Sequence, residues 1–146
     1  MSHILVGYDG SDGGKRALER AASEAQGSHA RVTVLSVANM PLDLDVPRNF
    51  GTLDDISDRE GGALGPPPDV VAHLNEAREL LAAEGVDADL AWAAGEPGHE
   101  IIETAKRVKA RTIVVGEHHH GFLSGLFGGR VDEEVQRQAG CTVIVA

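Results

Sequence analysis

The sequence predicts an α/β domain built on a doubly wound parallel sheet. Five short apolar runs alternate with four helical patterns: Ile4 to Val6, Val32 to Val37, Ala88 to Ala93, Thr112 to Val115 and Thr142 to Val145. Most of these runs are β-branched and continuous, as strands covered on both faces must be. Strands alternating with helices imply right-handed crossovers, with helices packed on both sides of one sheet.

Taken in order, Ile4-Leu5-Val6 is the first strand. The helix after it gathers Ala17, Leu18, Ala21, Ala22 and Ala25 on one face, with Ser11 or Asp12 as N-cap and Gly27 beyond its end. Val32 to Val37 follows as the second strand. The stretch at about 39–69 breaks the rhythm. It is acidic and punctuated by Pro41, Pro47, Gly61-Gly62 and Pro66-Pro67-Pro68, and reads as a flexible surface loop or as a lid over a site. A second helix places Val70, Val71, Leu74, Ala77, Leu80 and Leu81 on one stripe and stops at Gly85. The third run alternates, with Leu90 and Trp92 on one side and Asp89 on the other, which suggests an edge strand with one wetter face. A third helix opens at Pro97, a residue favoured in the first turn, and buries Ile101, Ile102, Ala105 and Val108. Thr112 to Val115 is the fourth strand. A short last helix carries Val131, Val135 and Ala139, with Asp132 and Glu133 in its first turn and Gly140 at its end. Thr142 to Val145 closes the sheet.

The totals fit one domain over residues 1–146, with no internal repeat or linker. Aromatics make up only 3% of residues, so the core must be aliphatic. The formal net charge of −10 repels nucleic-acid backbones and anionic lipid, so neither is an expected partner. Cys141 is the single cysteine, which excludes an intrachain disulfide and suits a reducing compartment. The start, Met1-Ser2-His3-Ile4-Leu5-Val6, has no basic region followed by an apolar run of signal length. No run approaches the ~20 apolar residues that span a bilayer. The expected location is the cytoplasm.

Ligands of open α/β sheets bind at the carboxyl ends of the strands, where the strand order reverses. Two such ends are glycine-rich. Gly7 to Lys15 resembles a Walker loop but fails, because Asp9 stands where its first glycine belongs and Arg16 where the hydroxyl residue belongs. The other, Gly116 to Arg130, lies between the fourth strand and the last helix, where glycines and helix amides admit anions. Within it, consecutive side chains of His118-His119-His120 diverge, so at most His118 and His120 could share a metal. The three read as a polar loop, and no metal site is expected. Cys141 reads as a small buried residue and Ser11 as a cap or ligand donor. No residue set supplies a general base with a metal partner, so no catalytic residue is assigned and slow ATP hydrolysis ranks last among the functions considered.

Ile4-Leu5-Val6-Gly7-Tyr8-Asp9-Gly10-Ser11, the helix with Ala17-Leu18, Leu35-Ser36-Val37, and Gly129-Arg130-Val131 through Ala139-Gly140-Cys141-Thr142-Val143-Ile144-Val145 together resemble the universal stress protein family over essentially the whole chain. The resemblance implies a Rossmann-like five-stranded sheet of order 3-2-1-4-5 and a homodimer formed through the last strand, Thr142 to Val145. That strand is apolar and lacks guarding charges, and pairing with a second copy would cover its edge. Many members of the family bind ATP or another adenine nucleotide through glycine, two residues, glycine, nine residues, then glycine and Ser or Thr. Here Gly116 and Gly129 keep the outer positions, His119 occupies the middle glycine position and Arg130 the hydroxyl position. The resemblance places Asp9, Gly10, Ser11 and Val37 around the base and ribose. Gly116 and Gly129 would offer amides to the phosphates, with or without magnesium. Arg130 could supply a charged fork to a phosphate or pair with Asp132, Glu133 or Glu134 and close the site. The expected function is stress-response regulation with an adenine-nucleotide pocket; the alternative is a dimer with a degenerate pocket that acts through protein contacts.

Overall fold

The computed structural model describes residues 2–38, 51–52, 67–95, 97–116 and 141–146. Its elements are β1 (His3–Gly7), α1 (Asp12–Ser28), β2 (Arg31–Ala38), β3 (Gly51–Thr52), α2 (Pro68–Ala83), β4 (Ala88–Ala94), α3 (Pro97–Val108), β5 (Thr112–Val115) and β6 (Thr142–Val145). They form one sheet of order β3-β4-β2-β1-β5-β6. Five of these strands run parallel, and in their own sequence the order is the expected 3-2-1-4-5. β1 lies at the centre, with Ile4 opposite Val32 on one side and Thr112 on the other. The chain moves from β1 through β2 to β4, then crosses back over β1 to β5. The carboxyl ends of β1 and β5 therefore flank the point where the order reverses.

Each face of the sheet has its own core. On one, Ile4, Val6, Val34, Leu90 and Trp92 meet α1 through Leu18, Ala21 and Ala25, and α2 through Val70, Leu74, Ala77 and Leu81. On the other, Leu5, Leu35, Ala91, Ala93, Ile113 and Val115 meet Ile101, Ile102 and Ala105 of α3. Alanines on α1 let its backbone approach the sheet closely, which suits a core with few aromatic rings. Among the described residues, Trp92 Nε1 and Thr104 Oγ1 are buried without a hydrogen-bond partner, each costing about 1–3 kcal/mol of desolvation.

The structure amends the sequence reading in several places. Gly27 lies inside α1, not beyond it. The helix runs to Ser28, and His29 caps it in a left-handed conformation (φ 54°), its N–H reaching Ala25 O. Residues 39–69 are not wholly a loop: Gly51–Thr52 pairs antiparallel with Trp92 and Ala91, and Pro68-Asp69 begin α2. Apart from Pro67, the rest of that segment lies outside the described residues. β4 is therefore not the sheet's edge, and neither of its faces is wet beyond Asp89, because Ala91 and Ala93 are buried beneath α3. On α2, Leu80 is 40% exposed and Val71 half-buried, so the buried stripe is narrower than predicted. Val108 is likewise only half-buried. The last helix expected around Val131, Val135 and Ala139 lies outside the described residues.

Candidate functional site

The site predicted from sequence begins where β1 ends. Tyr8 N donates to Leu35 O at 2.9 Å, carrying the β1–β2 ladder one step past Gly7. The chain then turns sharply at Gly10 (φ +81°), a conformation that favours glycine. Asp9 Oδ1 accepts from Ser11 N at 3.0 Å and from the Ser11 hydroxyl at 2.5 Å. Ser11 Oγ in turn accepts from Gly14 N at 3.0 Å, the geometry of an N-cap. The Asp9 carboxylate thus orients the cap that starts α1, while its other oxygen takes no part in these bonds.

Gly116, the residue after β5, is held against this cap. A Cβ on Gly116 would lie 2.4 Å from Gly13 C and 2.5 Å from Gly13 O. Only glycine lets the end of β5 touch the backbone of the first turn of α1. Gly14 is nearly as confined, since a Cβ there would lie 3.0 Å from both Asp9 Oδ1 and Tyr8 Cδ1. Val37 sits at the same end of the sheet, two residues past Leu35, the partner of Gly7. It is half-buried against the α3-side core. The structure therefore brings Asp9, Gly10, Ser11, Val37 and Gly116 to one end of the sheet. His119, Gly129 and Arg130 lie outside the described residues, as do His118 and His120.

Four contributors were not assigned from sequence. Gly13 and Gly14 open a helix, where glycine is a poor former, and that anomaly was the signal available for a close backbone approach. His73 comes from α2 across the turn: its Nε2 lies 2.8 Å from where a Cβ on Gly10 would stand, and its ring meets Tyr8 edge-on, 6.2 Å between centroids at 85°. Glu76, one turn further along α2, accepts a hydrogen bond from the buried Tyr8 hydroxyl. Burial, reinforced by the bond to Glu76, holds that hydroxyl well above the usual phenol range.

Among the described residues no three His, Cys, Asp or Glu side chains are grouped to hold a metal ion. Burial pushes the half-buried Cys141 thiol up, which favours its protonated form. A groove of about 170 Å³ lies between α1 and α2, lined in part by Lys15, Leu18, Glu19, Leu80 and Leu81. Its described lining comes from α1 and α2 and the turn after α2, away from the carboxyl ends of β1 and β5.

The family model described as the universal stress protein family matches residues 1–146. The chain belongs to the universal stress protein family. It is 30% identical over 156 residues to universal stress protein YxiE of Bacillus subtilis, covering 99% of this chain and 98% of the relative. It is 28% identical to stress response protein NhaX of the same organism, covering 97% of this chain and 95% of that one. Among solved structures, a universal stress protein in complex with cAMP superposes with a TM-score of 0.70 at 28% identity, covering 99% of this chain and 96% of the other. The parallel order described above is that of these universal stress protein folds.

Proposed function

We propose that this universal stress protein is a regulatory protein that takes an adenine nucleotide at the carboxyl ends of β1 and β5. The observation that carries the reading is the 28% identical universal stress protein in complex with cAMP, which matches this chain along nearly its whole length. The local geometry supports it. The Tyr8–Ser11 turn presents the Asp9 carboxylate, one oxygen of which holds Ser11, and Gly116 brings the end of β5 against α1 with no side chain between them. In this reading Asp9, Gly10, Ser11 and Val37 border the base and ribose. Gly116 and Gly129 present amides to the phosphates, and Arg130 adds a charged donor. The protein regulates by binding, without catalysing a reaction. It works as a cytoplasmic homodimer joined along β6, whose Val145 is 38% exposed.

A second reading is favoured by a specific departure: His119 and Arg130 stand where the nucleotide pattern has glycine and a hydroxyl residue. In that case the pocket is degenerate and the dimer acts through protein contacts. Isothermal titration of ATP and cAMP into the wild type and into an H119G/R130S variant separates the two. Saturable heat with the wild type is the result expected of a working pocket. Binding gained only in the variant assigns the degenerate one.

A further inference from the structure

Tyr8 immediately precedes Asp9, and four elements hold it. Its backbone N–H reaches Leu35 O of β2 at 2.9 Å. Its side chain is fully buried in the core that α1 and α2 cover. Ring atom Cδ1 lies 3.0 Å from where a Cβ on Gly14 would stand, so the ring rests against the first turn of α1. On the other side the ring meets His73 of α2 edge-on, and the hydroxyl donates to the carboxylate of Glu76, an exposed residue of the same helix. A phenylalanine would fill the same volume and make all of these contacts but the last. The hydroxyl turns a space-filling ring into a directional tie, because a buried phenol needs a partner and a carboxylate is a strong acceptor.

We propose that Tyr8 is a positioning residue of the nucleotide site, fastening the turn that presents Asp9 to α2 through its hydrogen bond to Glu76. The inference rests on the nucleotide reading above. Tyr8 and Asp9 are joined by one peptide bond, so the anchor of the ring fixes where the Asp9 carboxylate starts from. That carboxylate holds Ser11 N and the Ser11 hydroxyl, and Ser11 Oγ holds Gly14 N. Loosening Tyr8 therefore loosens the whole turn. Because the turn serves the base and ribose, the effect falls equally on ligands that share the adenosine moiety, whatever phosphate they carry.

The experiment measures cAMP and adenosine affinity for the wild type, Y8F, E76A, E76Q and L81A, each well below its melting temperature. Glutamine at 76 keeps an acceptor oxygen for the Tyr8 hydroxyl, and Leu81 is a fully buried residue further along α2 that serves as a purely structural control. Y8F and E76A are expected to weaken both ligands by the same factor, about three- to tenfold, the range that one hydrogen bond spans. E76Q and L81A should stay within about twofold of the wild type, since neither removes that bond. Should Y8F fail to fold, E76A at its exposed position carries the test. Affinities unchanged in Y8F and E76A overturn the proposal while leaving nucleotide binding intact, and an equal loss in L81A overturns it as a general effect of stability. If the wild type binds neither ligand, the nucleotide reading fails, and amide hydrogen exchange without ligand decides the tie itself. Faster exchange of the Ser11 and Gly14 amides in Y8F and E76A, but not in E76Q, sustains the link between α2 and the turn; equal rates remove it.

Discussion

At Gly116 a single missing Cβ decides whether β5 can reach α1. The atoms that a Cβ would meet, Gly13 C at 2.4 Å and Gly13 O at 2.5 Å, are backbone and cannot swing aside. Gly116→Ala is therefore expected to cost about 1–3 kcal/mol, as overpacking does. Gly27 is the matched control. It lies in α1 with nothing within 4 Å of a Cβ, so Gly27→Ala should stabilise by about 0.4–1 kcal/mol. Urea unfolding of the two variants side by side checks the pair, and a neutral G116A would remove the close approach from the account. Ser11 carries a second residue-level prediction. Ser11→Ala removes the acceptor for Gly14 N and leaves Asp9 with one fewer donor, for about 1 kcal/mol of stability. The Asp9-Gly10-Ser11 turn was readable in the sequence because each residue has a local reason to be there. His73 was not, because nothing in a string of residues ties position 73 to position 10; only the docking of α2 beside β1 does so.

Among elements, helix faces were the most legible part of the fold. Ala17, Leu18, Ala21, Ala22 and Ala25 recur at helical spacing and all are buried. Cores of this kind penalise truncation, so Leu74→Ala, at a fully buried position, should lose about 2–5 kcal/mol. On the same helix, Leu80→Lys should change stability by under about 0.5 kcal/mol, because Leu80 is already 40% exposed. Chemical denaturation of both tests the register of α2. The helix end at His29 was missed because a left-handed cap is normally sought at glycine, and this chain places histidine there at φ 54°. β4 was misread because alanine is ambivalent: Ala91 and Ala93 look like an open face beside Leu90 and Trp92 until α3 covers them. The two-residue strand at Gly51–Thr52 is too short to carry any periodicity.

For the whole molecule, two of the described titrating groups make stability depend on pH, one on each side of neutrality. Burial, then Arg31, pushes His3 below its ordinary 6.5, against weaker opposing effects from Asp89 and Val108. His3 also shares a 2.6 Å hydrogen bond with Thr33. A histidine lowered on folding leaves stability intact above pH 6.5 and drains it as pH falls below, since the unfolded chain takes the proton first. Tyr8 acts at the other end. Its hydroxyl is raised on folding, so its contribution is present below about pH 10 and is lost as pH climbs further. Thermal melts from pH 4 to 11 should fall off on both sides, with H3Q softening the acid limb and Y8F the alkaline limb. If the limbs are identical in the variants, these two groups do not govern them. The family resemblance implies the sheet order from residues alone, because its motifs fall at the first and last strands. It said less about the site, since this chain departs from the nucleotide pattern at His119 and Arg130.

An adenine nucleotide at the β1–β5 end, as proposed, would stabilise the folded protein against heat. The most direct measurement is the shift in melting temperature of the wild-type protein with ATP, ADP, AMP and cAMP, each with and without magnesium. A ligand at a hundred times its dissociation constant stabilises the native state by about 2.7 kcal/mol, which moves the melt by several degrees in a chain of this size. A saturable upward shift is expected for at least one of the four. A melt unmoved by all of them at millimolar concentration contradicts it and assigns the protein a pocket without a nucleotide.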